Sequence, residues 1–210
     1  MILDPVAPAD AFALPGCPVC QMLPRIEAEL VDGFCRRGLG DPDARERVLA
    51  VGGLCARHWW LVATAERDRS DAMPGTAELL ADVLDRFGAH GPVARCPLCV
   101  DIEAAATDWF RLLLDDLGPA RLDQAPSSWR PCLPHVEWLR ELRLEPWLTR
   151  WAGRRRDRAV AEATAAARRY LRTRRRRHHQ EATGAEAEEL LAAMAALLGD
   201  PDRVTAGTSR

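Results

Sequence analysis

The chain has 210 residues and a formal net charge of −2 at neutral pH, with 48% hydrophobic and 29% charged residues. These values are typical of a globular protein and exclude a disordered one. No run approaches the ~18 apolar residues that a membrane helix requires, so we expect no membrane partner. The amino-terminal arm (1–16) is acidic and lacks a basic start, which predicts a cytoplasmic protein without a secretory signal.

Apolar residues follow helical spacing almost throughout, and no segment alternates for long enough to predict a strand. We therefore predict an all-α fold of two tandem helical units with a C-terminal helical hairpin. The predicted regions are the arm (1–16), a first unit (17–91), a second unit (92–150), an arginine-rich helix with an amphipathic helix (151–198), and a flexible tail (199–210).

In the first unit, a helix is predicted to begin near Cys20, with Pro24 kinking or restarting it. A short helix is predicted over residues 41–51, with Asp41 and Pro42 as its cap and first position. Gly52-Gly53 ends that helix. The next helix is predicted to follow Cys55. A further helix is predicted over residues 76–87.

In the second unit, a helix is predicted after Cys99, with Gly118-Pro119 as its stop. A loop is predicted for residues 123–131, and a helix from Cys132 that Pro146 interrupts. A long charged helix over residues 154–180 and an amphipathic helix over residues 186–198 complete the chain.

Six of the seven cysteines lie in a duplicated pattern. A CPxC pair is followed by CxxH after 35 residues in the first unit and after 33 in the second, and equivalent positions are offset by 77 to 79 residues. The repetition makes the pattern more specific than a single CxxC. The eight candidate ligands are Cys17, Cys20, Cys55, His58, Cys96, Cys99, Cys132 and His135.

Three thiolates and one imidazole per unit complete a tetrahedral zinc site of the Cys3His type. We therefore predict two closed zinc sites in a metal-binding protein that acts as an interaction or accessory module. The ions would stabilise its fold by joining helices. We also predict that each CPxC pairs with the CxxH of its own unit, because the two separations are similar. Iron–sulfur clusters in an electron-transfer or redox-sensing protein remain an alternative. Thiol–disulfide exchange through the CPxC pairs is another.

Four motifs resemble those of a known family of sequences. They are Cys17-Pro18-Val19-Cys20, Gly53 to His58, Cys96-Pro97-Leu98-Cys99 and Cys132-Leu133-Pro134-His135. Over about residues 17–150 the chain resembles an uncharacterised bacterial family with twin CPxC…CxxH repeats. It departs from that family's pattern at Arg130-Pro131, where a glycine would precede the cysteine, and at Pro24. The resemblance implies metal binding but no particular activity.

The arginine-rich helix is the second candidate surface. Residues 150–179 hold twelve arginines against two acidic residues. The arginines either pair with the acidic last helix, which we favour, or form a surface for nucleic acid or an acidic partner. The arginines that such a surface would use are Arg172, Arg174, Arg175, Arg176 and Arg177. A protein partner is expected; an enzyme is the weaker class, because no catalytic constellation is present.

Overall fold

The computed structural model describes residues 16–87, 95–123, 131–141, 146–176 and 184–198. These ranges contain eight α-helices: α1 (Pro18–Gly33), α2 (Pro42–Ala50), α3 (Ala56–Ser70), α4 (Pro74–Phe87), α5 (Pro97–Asp123), α6 (Leu133–Glu141), α7 (Pro146–Arg176) and α8 (Gly184–Leu198). A π-helical turn, Phe34–Gly38, follows α1. The described residues contain no β-strand, and the all-α prediction is confirmed.

Five of these helices begin with proline. Proline suits the first helical position, because its fixed φ matches the helix and its missing N–H would have no partner there. Asp41 caps α2 as predicted: its Oδ1 accepts hydrogen bonds from the backbone N–H groups of Asp43, at 2.9 Å, and Ala44, at 3.4 Å. The sequence therefore places most helix starts correctly.

Two prolines refine the predicted helix boundaries. Pro24 lies within α1, which continues past it. The neighbouring Met22, Leu23 and Ile26 are buried, so their packing offsets the backbone hydrogen bond that Pro24 cannot donate. Pro146 separates α6 from α7 as predicted, but it is the first residue of α7, which thus starts before the predicted residue 154. The predicted stop at Gly118 appears as a break within α5, with φ of 59°.

The chain divides into two compact units by its internal contacts. Unit 1 is Leu23–Asp108, and unit 2 combines the described residues of Ile2–Met22 and Trp109–Arg210. The core of unit 1 is formed by apolar residues of α1 to α5, of the π-helical turn and of the connections between these elements: Val31, Phe34, Leu39, Val48, Leu54, Val62, Leu79, Val83, Cys96 and Leu98. Unit 2 buries Phe110, Leu113, Val136, Leu139, Leu148 and Trp151.

Within unit 1, α3 and α4 are joined by a three-residue connection and lie side by side. Glu66, near the end of α3, accepts hydrogen bonds from the backbone N–H groups of Gly75 and Thr76 in the first turn of α4, at 2.9 and 2.8 Å. At the other end, a Cβ on Gly53 would lie 3.4 Å from Val83 of α4. The two helices are therefore antiparallel, and α4 returns the chain to the start of α3.

In unit 2, α7 and α8 form the predicted C-terminal hairpin, which the ion pair between Arg169 and Glu189 bridges. None of the helices described is long and apolar enough to cross a membrane.

Candidate metal centres

Two groups of side chains in the described residues could each hold a metal ion. The unit 1 site consists of Cys55, His58, Cys96 and Cys99. The unit 2 site consists of Cys17, Cys20, Cys132 and His135. In each group, one ligand atom from every residue lies within 4.8 Å of the other three. The structure thus brings together all eight residues that the sequence pattern selected.

The four motifs share one local geometry. The first cysteine of each motif precedes a helix and its carbonyl accepts the first helical hydrogen bond; these cysteines are Cys17, Cys55, Cys96 and Cys132. The second ligand follows three residues later, in the first turn, so both side chains point to the same end of the helix. Two helix amino termini therefore meet at each site, and their dipoles favour thiolate over thiol.

The distances match those of a tetrahedral ion. At the unit 1 site, His58 Nδ1 lies 3.1 Å from Cys55 Sγ and 3.4 Å from the Sγ atoms of Cys96 and Cys99. The Sγ atoms of Cys55 and Cys99 are 3.8 Å apart. Zinc with Zn–S of ~2.3 Å and Zn–N of ~2.0 Å would place two sulfurs about 3.8 Å apart and sulfur and nitrogen about 3.5 Å apart.

The unit 2 site has the same dimensions. His135 Nδ1 lies 3.0 Å from Cys132 Sγ and 3.3 Å from the Sγ atoms of Cys17 and Cys20. The Sγ atoms of Cys20 and Cys132 are 3.7 Å apart. All seven cysteines are free thiols, so these contacts are not disulfides. Both groups therefore fit one tetrahedral ion each.

The predicted pairing of motifs within each repeat is wrong. Each site combines the CPxC of one repeat with the CxxH of the other. Helix lengths favour the crossed pairing: α1 has 16 residues and α2 only 9, or about 24 and 14 Å, so α2 alone is too short to span the length of α1. Helices α3 and α4 have 15 and 14 residues, so α4 brings Cys96 back to Cys55.

A buried carboxylate, Glu27, lies behind the unit 1 site and pairs with an arginine. Glu27 is 6% exposed, and its carboxylate accepts hydrogen bonds from Arg57 Nε at 2.7 Å and Nη2 at 2.6 Å. Its Oε1 also lies 3.3 Å from His58 Nε2. That nitrogen is buried and makes no well-aligned hydrogen bond, so its contact with Glu27 is electrostatic. The sequence did not predict a role for Glu27 or Arg57. The available signal was the acidic Glu27 directly after Ile26, which lies on the apolar face of the helix.

The ionisation of the unit 1 site is strongly perturbed. Burial opposes charge on His58, but the hydrogen bond with Cys96 and the nearby Glu27 carboxylate raise its pKa to about 10. Burial also opposes ionisation of Cys96, yet the hydrogen bond with His58 lowers its pKa to about 6. Burial and the charges of Cys96 and Cys55 raise the pKa of Cys99 to about 12.

In the unit 2 site, too, the pKa of one thiol is lowered and that of another is raised. Burial of Cys17 is outweighed by hydrogen bonds from Cys132, Cys20 and His135, which lower its pKa well below its ordinary value. Hydrogen bonds with Cys132 and Cys17 raise the pKa of Cys20. The pKa of His135 is raised to about 10, since hydrogen bonds with Cys132 and Cys17 outweigh burial. One imidazolium stabilises one thiolate but cannot balance three, so full ionisation needs a multivalent cation.

An aromatic wall borders the unit 2 site. The ring of Trp138 meets His135 edge-on, with centroids 6.2 Å apart. Phe110, which is fully buried, packs against Trp138 at 6.3 Å. The three cysteines of this site are all buried, whereas Cys55 and Cys99 of the unit 1 site are half-buried. The two sites thus differ in their surroundings while sharing their ligands.

The proposed arginine surface is described only in part. Arg172 is exposed on α7, and Arg174 to Arg176 continue the helix, although their side chains and Arg177 lie outside the described residues. Further back on α7, Arg158 pairs with Glu162 at 3.0 Å, and Arg156 pairs with Asp157 and Glu137. Arg169 pairs with Glu189 of α8. Pairing with the acidic last helix therefore occurs at one position in the described part of the chain.

No family model, curated protein or solved structure matches this chain. The two Cys/His groups are the main functional features of the described residues.

Proposed function

We propose that this protein binds two zinc ions, one in each Cys3His site, and that the ions staple helices of a module that binds a protein partner. The observation that carries the proposal is the tetrahedral spacing of the ligand atoms in both groups. A bound ion would replace protons on the thiols and imidazoles and would join two helix amino termini. A structural zinc contributes on the order of 10 kcal/mol to folding of a small site. Four protein ligands leave no open position for a reacting water.

The spacing favours a single ion over an iron–sulfur cluster. In a cluster, the protein ligands are shared among two or four irons and are held farther apart than the ligands of one ion. Here all four ligand atoms lie within 4.8 Å of one another at each site. Zinc is the ion that most often takes a closed Cys3His set.

Burial argues against thiol–disulfide exchange. An exchanging thiolate must be accessible to another sulfur. Cys17, Cys20 and Cys96 are buried, and each faces the other ligands of its site. The CPxC pairs are therefore better suited to hold an ion than to attack a substrate disulfide.

Elemental analysis tests the proposal. Protein purified without added metal should contain two zinc ions per chain and be colourless. A brown preparation with broad visible absorption would favour iron–sulfur clusters. Fewer than one metal per chain, with reduced thiols and an intact fold, would refute metal binding.

The resemblance to the uncharacterised twin CPxC…CxxH family is a further argument for the metal sites, because the same eight positions carry it.

An exposed tryptophan supports the interaction role. Trp60 of α3 is 75% exposed, and α4 exposes Leu80 and Leu84, one helical turn apart. Large exposed apolar side chains are frequent in interfaces, and tryptophan often dominates their energy. Trp60→Ala should abolish capture of a specific partner while both zinc ions and the unfolding temperature are retained. Unchanged capture would place the interface elsewhere.

A further inference from the structure

The contact of Glu27 with His58 has a specific consequence for the unit 1 site. His58 presents Nδ1 to the three sulfurs of that site. A neutral imidazole that binds a metal through Nδ1 carries its proton on Nε2. That N–H is buried, and a buried N–H without an acceptor is unfavourable. The Glu27 carboxylate, 3.3 Å away, is the group that faces it.

Glu27 is itself held firmly. It is 6% exposed, and a buried carboxylate without a partner would be strongly unfavourable. Arg57 supplies that partner through two hydrogen bonds of 2.7 and 2.6 Å, in the fork geometry that arginine makes with carboxylates. The Arg57 side chain is 42% exposed, so its guanidinium group remains partly hydrated while it pairs with the buried carboxylate. Arg57, Glu27 and His58 therefore form a connected series ending at the metal site.

The second repeat has no such series. Glu27 lies seven residues after Cys20, and the equivalent position after Cys99 is Ala106. Arg57 lies two residues after Cys55, and the equivalent position after Cys132 is Pro134. In the described part of the chain, His135 has no ion pair with a carboxylate, and its ring packs edge-on against Trp138. The unit 2 site is therefore an internal control for the effect of Glu27.

We propose that Glu27, oriented by Arg57, is a positioning residue that fixes the tautomer and ring orientation of His58 and thereby strengthens metal binding at the unit 1 site alone. This inference rests on the proposed zinc function. Carboxylates that contact a ligating histidine typically change metal affinity by about 10–100-fold.

Zinc competition in the full-length protein tests the inference. Zinc-loaded wild type, Glu27→Gln and the control Glu29→Gln, which changes an exposed glutamate of the same helix, would be titrated with a colorimetric zinc chelator. In Glu27→Gln, one of two zinc equivalents should bind about 10–100-fold more weakly, and the other should be unchanged. Glu29→Gln should match wild type. Wild type that binds no zinc would refute the proposed function itself.

A spectroscopic measurement separates positioning from general destabilisation. In ¹H–¹⁵N spectra of the zinc-loaded protein, the Nε2–H signal of His58 should shift in Glu27→Gln, and that of His135 should not. If Glu27→Gln does not fold, Arg57→Ala and Arg57→Lys decide: we expect weakened binding of one zinc, with a smaller loss for Arg57→Lys. Two zinc equivalents held as in wild type, with an unshifted His58 signal in any folded variant, would overturn the inference while leaving the zinc proposal intact.

Discussion

The unit 1 and unit 2 sites have the same candidate ligands in the same helical positions but different surroundings. Behind its histidine, the unit 1 site has the buried Glu27, which pairs with the partly exposed Arg57, and two of its cysteines are half-buried. The unit 2 site buries all three cysteines and packs its histidine against Trp138. The duplicated motifs thus repeat the ligands but not the groups around them.

The crossed pairing of motifs should have the largest measurable effect. Cys17→Ser and Cys132→Ser should each remove one zinc equivalent, and the double variant should remove the same one. Cys17→Ser with Cys55→Ser should remove both, because these residues belong to different sites. Each lost ion should destabilise the protein by several kcal/mol, since structural zinc contributes on the order of 10 kcal/mol.

Metal content and denaturant unfolding would measure this prediction. The crossed pairing would be contradicted if Cys17→Ser with Cys132→Ser left the protein without zinc while Cys17→Ser with Cys55→Ser kept one ion. That result would support pairing within each repeat.

Removing the aromatic wall should affect the unit 2 site more than the unit 1 site. Phe110→Ala should lower the free energy of unfolding by about 3–5 kcal/mol, because Phe110 is fully buried against Trp138. The variant should also release one zinc equivalent faster. Leu112→Ala on the same helix is the control, since Leu112 is 61% exposed. Equal acceleration at both sites would show that Phe110 acts on the whole protein rather than on its own unit.

Zinc binding should tighten steeply as the pH rises. At pH 7 the metal-free unit 1 site carries protons on His58, with its pKa of about 10, and on Cys99, with its pKa of about 12. Both protons must leave when zinc binds, so the affinity should increase at least about a hundredfold per pH unit between pH 7 and 8. Cys96, with its pKa of about 6, should add little in this range.

Calorimetry in buffers of different ionisation enthalpy would count the released protons. Fewer than one proton per zinc at pH 7 would contradict the prediction.

Alkylation should distinguish the two sites by a smaller factor. In zinc-loaded protein with Cys35→Ser, iodoacetamide should modify Cys55 and Cys99 several-fold faster than the buried cysteines of the unit 2 site. Peptide mass spectrometry would follow each residue. Equal rates at both sites would show that exposure of the sulfurs does not set their reactivity.

The sequence predicted the helix starts well and selected the side chains that meet in the two groups, because both depend on local chemistry. Cysteine and histidine three residues apart share one side of a helical turn, and proline favours the first helical position wherever it occurs. Pro24 shows the limit of such arguments. It lies within a helix because the buried neighbours Met22, Leu23 and Ile26 outweigh its local preference.

The amino-acid sequence by itself determined the all-α class, the eight candidate ligands and their two-by-two grouping in motifs. Tertiary structure alone decided which motifs meet, because pairing depends on whether a helix is long enough to return the chain to the same end. It also brought together Glu27 of α1 and Arg57 of α3, which lie 30 residues apart in sequence and become hydrogen-bond partners. Spacing along a chain specifies local geometry, whereas contacts between helices depend on how they pack.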